Sequence, residues 1–401
     1  MSAKPDPSAP PATDADAYPT WPAFDEQQID AAVAVLRSGR ANYWTGTEGR
    51  AFEREFARFC QARFGLAVAN GTLALELALH GLGIGPGDEV VVTSRSFVAS
   101  ASCVLRAGAT PVFADVDRDS QALTAATVEA VLTPRTRAVI AVHLAGWPCD
   151  LEPLQALASR HGLRLIEDCA QAHGARYRGR PVGSFGCAAA FSFCHEKSMT
   201  TAGEGGMLLT SDPAVRDRAL AFRDHGLAPG AQPAPPKRGF RFLRTTPGSN
   251  FRLSEVQSAV GREQLKRLPQ WLATRERNAR LLRELLAPSP ALRMPSPPAD
   301  LRHGWYKFYA FVRPAALKAG WDRERLLDAI VAAGVPCSVG ACSALYREGA
   351  FDGIAAPDPE PAVAAELGRT SLMFCVHPTL EEHHMRRMAS VIGGCLERAS
   401  R

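Results

Sequence analysis

The sequence predicts an α/β chain, with one large and mostly parallel sheet sandwiched by helices and a smaller C-terminal α/β domain. Three observations carry this. Short apolar runs at 66–69, 89–92, 111–114, 138–142 and 163–166 are hydrophobic throughout rather than alternately, as strands buried on both faces are. Stretches with apolar residues at three- and four-residue spacing lie between them, at 73–82 and 151–161, and that is the period of a helix. The length, 401 residues with 46% hydrophobic, suffices for a large core and two or three lobes.

Residues 1–22 are rich in Pro, Ala, Ser and Asp and contain no apolar core. They read as a flexible tail of a cytoplasmic protein, neither a signal peptide nor an anchor. Surface-helix patterns follow at 25–37 and 48–64, and then the strand and helix alternation begins. Two further strands, at 188–193 and 207–210, flank a lysine-bearing turn. Residues 228–249 are rich in Pro and Gly and carry Lys237, Arg238, Arg241 and Arg244. They are either a solvated excursion or a flap that brings positive charge to a phosphate.

From 253 to 286 the pattern is helical, interrupted by Pro269, and a Pro-rich link covers 288–298. A strand at 308–312, a helix at 323–333 and a terminal helix at 381–396 complete the smaller lobe. The expected division is therefore a tail of 1–22, a large domain of 23–268 and a small domain of 269–401.

The formal net charge of +5 is modest and interspersed, so nothing marks a nucleic-acid-binding protein, although a slight basic bias helps attract an anionic substrate. The ten cysteines form no CxxC pair and have no histidine neighbours at zinc spacing. They read as reduced, mostly core residues, and no metal site is expected. No apolar run approaches the roughly 18 residues of a membrane span.

The most informative stretch is 165–207. Asp168 ends an apolar strand, and Lys197 stands 29 positions later in a Ser-rich turn before Gly203-Glu204-Gly205-Gly206. Pyridoxal phosphate (PLP) chemistry needs those two groups: a carboxylate to keep the pyridine nitrogen protonated, and a lysine to hold the aldehyde as a Schiff base. The alternative for Asp168 is an ordinary helix N-cap after a strand. Asn70-Gly71-Thr72 opens a helix after a strand, where free N–H groups, the helix dipole and the Thr72 hydroxyl suit a phosphate. On its own that tripeptide is also a common turn.

These segments resemble the DegT/StrS-type sugar aminotransferase family of fold-type I PLP enzymes. The resemblance runs through Trp44-Thr45-Gly46, Asn70-Gly71-Thr72, Gly85-Pro86-Gly87-Asp88-Glu89, His143-Leu144-Ala145-Gly146, Asp224-His225-Gly226 and Asn250-Phe251-Arg252. It covers nearly everything from about Trp21 onward. Several ordered matches are specific where one alone is weak.

The resemblance implies that Lys197 is the Schiff-base lysine and Asp168 the pyridinium partner. It places Gln171 near the ring and its 3′ oxygen, Phe97 in a stack on the ring, and Gly71, Thr72 and Ser192 at the phosphate. Asn250 would come from the other subunit, making a homodimer with shared active sites. His195 is expected to be an ordinary polar residue, and His173 a packing or supporting one.

Relatives that dehydrate sugars carry histidine where Lys197 stands, which favours transamination. The implied reaction moves an amino group from an amino acid, usually L-glutamate, to a nucleotide-linked keto-sugar, for surface polysaccharide or natural-product synthesis. Trp305, Tyr306 and Lys307 would either meet the nucleotide diphosphate or simply open a strand. A keto-cyclitol aminotransferase is the nearest alternative; its relatives often have a Gln-x-Ser-Lys turn, which Cys194-His195-Glu196-Lys197 does not match. A PLP sugar dehydratase and a PLP-binding regulatory protein are the more distant ones.

Overall fold

In the computed structural model, residues 18–228, 230 and 243–401 are described. Most of the expected tail, and Lys237, Arg238 and Arg241 of the basic segment, lie outside them. The large lobe begins with α1 (Glu26–Ser38), α2 (Glu48–Phe59), β1 (Phe64–Val68), α3 (Gly71–Leu82), β2 (Glu89–Thr93), α4 (Ala99–Arg106) and β3 (Thr110–Ala114). It continues through α5 (Ala125–Glu129), β4 (Thr136–Val142), α6 (Leu151–His161), β5 (Arg164–Asp168), β6 (Arg176–Tyr177), β7 (Arg180–Pro181), β8 (Ala188–Ser192), β9 (Gly206–Thr210) and α7 (Pro213–Arg223).

Helix α8 (Glu255–Leu286) leads to β10 (Leu292–Arg293), β11 (Leu301–Arg302), β12 (Phe308–Val312), α9 (Arg323–Ala332), β13 (Cys337–Ser338), α10 (Ala362–Thr370), β14 (Ser371–Phe374) and α11 (Glu382–Ala399). The expected mixed architecture is present. Seven strands form the large sheet in the order β1-β9-β8-β5-β4-β2-β3. The pairs from β8 to β3 are parallel, and β9 runs antiparallel to both β1 and β8. The small lobe has an antiparallel sheet, β10-β12-β14-β13.

The continuous apolar runs are explained by two separate cores, one on each face of the large sheet. Val91, Val139 and Ala141 face one, with Phe52, Phe56 and Phe191. Val90, Val92, Ile140 and Val142 face the other, against Leu75 and Leu79 of α3. Strand order reverses between β2 and β4, so the loops after their carboxyl ends diverge and leave a crevice there.

Two expectations differ from the outcome. The helix expected at 48–64 stops at Phe59: Gln61 takes a left-handed φ of 57° and Phe64 already begins β1. Pro269, expected to interrupt the long helix, lies inside a continuous α8. Its missing N–H and ring clash cost about 3 kcal/mol. Leu268 and Leu272 are buried in the large-lobe core, and Leu282 and Leu286 in the small-lobe core. Each such burial contributes roughly 1.5–3 kcal/mol, so packing at both ends outweighs the defect. One helix thus belongs to both lobes, and the 268/269 division falls within it.

A buried ion network ties the edge strand down. Arg223 at the end of α7 donates to Glu53 of α2 at 2.6 Å, to Asp224 at 2.9 Å and to the Ala67 carbonyl of β1 at 3.1 Å. Tyr43 also donates to Glu53, at 2.8 Å, and Arg252 to Asp224, at 2.7 Å. Removing one member strands the other charges without water. Arg223→Met is therefore expected to destabilise the chain by about 3–5 kcal/mol, read as a lower urea midpoint at unchanged slope.

Candidate active site

Strand β5 supplies two consecutive carboxylates that serve opposite faces. Asp168 points toward α4, where Ser100 donates its hydroxyl to Oδ2 at 2.7 Å, and Oδ1 accepts the Ala170 N–H at 3.1 Å. It is buried at 5% exposure. Glu167, fully buried, points the other way. Its Oε1 accepts the N–H groups of Phe185 and Gly186, both at 2.7 Å, and its Oε2 accepts the Gly183 N–H at 2.7 Å and meets His143 Nε2 at 3.1 Å. Burial alone would raise the Glu167 pKa, but the His143 and backbone hydrogen bonds more than offset it and hold the carboxyl below its ordinary value. Cys169 stands close to this pair. With four donors on its two oxygens, Glu167 has no lone pair left for a metal.

Lys197 sits in the turn after β8. Its N–H donates to the Cys194 carbonyl at 3.0 Å, and its own carbonyl accepts the Trp21 indole N–H at 2.9 Å. Its Nζ lies 4.9 Å from the centre of the Tyr306 ring. Burial pushes the amine below its ordinary pKa, and the negative charge of Asp168 opposes the shift. A lysine so placed reaches its neutral, nucleophilic form more readily than a solvated one.

The N-terminus of α3 is capped by Asn70, whose side chain accepts from Leu73 N. Gly71 packs so closely on the end of β8 that a Cβ there would lie 2.6 Å from the Ser192 Cβ. Gly71 and Ser192 are thus in close contact at the start of α3, where the first-turn N–H groups of Gly71 and Thr72 are a donor set suited to a phosphate dianion. Gln171 accepts the Ala145 N–H at 2.8 Å through Oε1, which fixes its carboxamide and leaves the amide NH₂ to donate elsewhere.

Phe97, just before α4, is 64% exposed. Asn250 is exposed beside edge strand β1; its bridge partner is Asp224, and among the described residues it shares no hydrogen bond with this cluster. His195 is exposed. His173 is enclosed by Phe56, Phe191 and Phe193, and burial, aided by the charge of Lys197, pushes its pKa down to about 3. It stays neutral and packs. Of the basic segment, Arg244 is described, and it donates to the Asp224 carbonyl at 2.9 Å.

Sequence reasoning missed Ser100, Trp21 and the Tyr306 contact to Lys197. Ser100 of α4 lies four residues after Ser96, which precedes the helix and whose hydroxyl it meets at 2.9 Å. Trp21 gave no signal. Residues 18–22 were assigned to the tail, yet Trp21 packs edge-on against Trp271 with ring centres 5.0 Å apart and Tyr18 joins the small-lobe core.

The model of the DegT/DnrJ/EryC1/StrS aminotransferase family matches residues 22–392. The chain belongs to this family. It is a PLP-dependent aminotransferase of fold type I, and the cluster above provides groups suited to that cofactor. A transaminase from Streptomyces venezuelae, named for dTDP-3-amino-3,4,6-trideoxy-alpha-D-glucose, is 37% identical over 373 residues, 92% of this chain and 93% of that one. The L-glutamine:2-deoxy-scyllo-inosose aminotransferase of Streptoalloteichus tenebrarius is 42% identical over 299 residues, 73% of this chain and 70% of that one. A crystal structure of an aminotransferase from Psychrobacter cryohalolentis superposes with a TM-score of 0.92 at 44% identity, covering 95% of this chain and 99% of that one. Among the described residues, no helix of this member is long and apolar enough to cross a membrane.

The support behind Asp168 can be tested directly. Glu167→Gln keeps the shape but halves the acceptors for three backbone N–H groups and His143. It is expected to cost about 1–3 kcal/mol of stability and to weaken PLP retention, measured by thermal unfolding and by cofactor released on dialysis.

Proposed function

We propose that this aminotransferase moves an amino group from an amino acid, L-glutamate, to a nucleotide-linked keto-sugar used for deoxyaminosugar synthesis. The observation that carries the reading is a half-buried Lys197 whose amine lies within the electrostatic reach of the buried Asp168 carboxylate. The dTDP-sugar transaminase relative supports the acceptor class.

Bound PLP supplies an electron sink and an aldehyde that accepts amines. Asp168, held by Ser100 and the Ala170 N–H, keeps the ring nitrogen protonated and the sink effective. Gly71, Thr72 and Ser192 anchor the phosphate, and Gln171 donates its free NH₂ near the 3′ oxygen. The exposed Phe97 ring would stack on the bound cofactor ring. Asn250 would supply its side-chain amide to the phosphate from a second copy of the chain. Lys197 Nζ would hold the aldehyde of the bound cofactor and would serve as the base that moves a proton from the substrate Cα.

One observation favours a second acceptor. The scyllo-inosose relative, at 42% identity, makes a keto-cyclitol with L-glutamine as donor the competing reading. Both are separated by one panel: visible absorbance of the PLP-loaded protein with L-glutamate or L-glutamine, then with nucleotide keto-sugars or keto-cyclitols. Return of the original spectrum by a nucleotide keto-sugar supports the proposal, and return by the cyclitol alone replaces it. No response to any amino donor would overturn amino transfer and bring back a regulatory role. Lys197→Ala is expected to lower the donor-driven rate by about 10²–10⁴-fold.

A further inference from the structure

Arg275 of α8 is fully buried, yet among the described residues its Nε and Nη2 have no hydrogen-bond partner. Only Nη1 is used, donating to the carbonyls of Trp305 at 3.4 Å and Tyr306 at 3.2 Å. A buried guanidinium with idle donors is costly, and its two free N–H edges match the two oxygens of a carboxylate. The group lies over the Trp21 ring, with Cζ 5.3 Å from the centroid.

Arg275 lines a cavity of about 80 Å³ together with Trp21, Tyr306, Lys307 and His377. Lys307 and Lys197 both lie against the Tyr306 ring, their Nζ atoms 5.3 and 4.9 Å from its centroid. The cavity is therefore next to the reactive lysine. Burial, followed by the charges of Arg275 and Lys307, pushes the His377 pKa down to about 3. The positive charge of the cavity thus resides on Arg275 and Lys307. Glu196 meets Lys307 at 3.5 Å but is two-thirds exposed, a weak and screened pairing that an entering anion can displace.

Size decides which anion. One water needs about 10–15 Å³ of such space, so the cavity admits a carboxylate and a few attached carbons and is too small for a nucleotide sugar. We propose that Arg275 and Lys307 form the seat for a carboxylate of the amino-acid donor. This rests on the amino-transfer reading above, and it gives the two substrates separate anchoring groups around one reactive centre.

The test uses the PLP-loaded protein, Lys307→Met and Arg275→Lys, which keeps the charge but loses the planar fork. Each is titrated with L-glutamate, read by visible absorbance, and by calorimetry with glutarate, which has two carboxylates and no amine, and with dTDP. Both variants are expected to need about tenfold more L-glutamate and to bind glutarate about tenfold more weakly, with dTDP affinity and PLP content unchanged. Absence of glutarate binding to the wild type, or wild-type glutarate affinity in Lys307→Met, would overturn the seat. A loss confined to dTDP would assign these cations to the acceptor instead, and so would also overturn it. If L-glutamate leaves the absorbance unmoved while glutarate still binds in an Arg275- and Lys307-dependent way, the amino-transfer reading falls and the carboxylate seat stands.

Discussion

The two-residue repeat of a strand is the constraint on which this site depends. Because successive side chains on β5 leave opposite faces, Glu167 and Asp168 cannot share a role, although they are neighbours of the same charge. Glu167 is consumed by the backbone of 183–186 and by His143, and it fixes where the end of β5 lies. Asp168 is held by Ser100 and faces the crevice. A slip of one residue would exchange them, placing a carboxylate saturated with donors where a free one is needed. The parallel pairing of β5 with β4 and β8 on either side fixes that register.

The second organising element is α8. Its first half packs in the core of the large lobe and its second half in that of the small lobe, and Arg275 stands close to the point of exchange. The crevice between lobes is consequently spanned by a single rigid rod rather than by a hinge loop. Arg95 adds a polar tie. It is fully buried and donates from the loop after β2 to Gln121, to the Ala341 carbonyl and to Ser371 of the small sheet. Groups from the two lobes, such as Lys197 and Tyr306, are held at fixed separation by these links.

Much of this was legible because both faces of the large sheet are covered, which forces uninterrupted apolar strands that stand out from the amphipathic helices between them. The acid-to-lysine arrangement and the strand-to-helix turn at Asn70 were legible for a similar reason, since each is a local device. Glu167 was not singled out, because a carboxylate saturated by backbone donors has no sequence pattern of its own. The strands of two residues, such as β6 and β13, are too short to show any period. Pro269 misled because the penalty of a proline is local whereas the packing that outweighs it is not. Trp21 and Tyr306 reach Lys197 across long separations in sequence, and only the closed fold makes them neighbours.

The hydrogen bond from Trp21 to the Lys197 carbonyl bears on how the protein is made. Trp21 leaves the ribosome well before its companions: the lysine turn follows 176 positions on, then Trp271, and finally His377, whose ring centre lies 6.4 Å from its own. The large sheet can be assembled once β9 has emerged, while the wall beside the reactive lysine must wait until His377 has emerged. A nascent chain therefore carries its scaffold for much of its synthesis without a finished catalytic chamber.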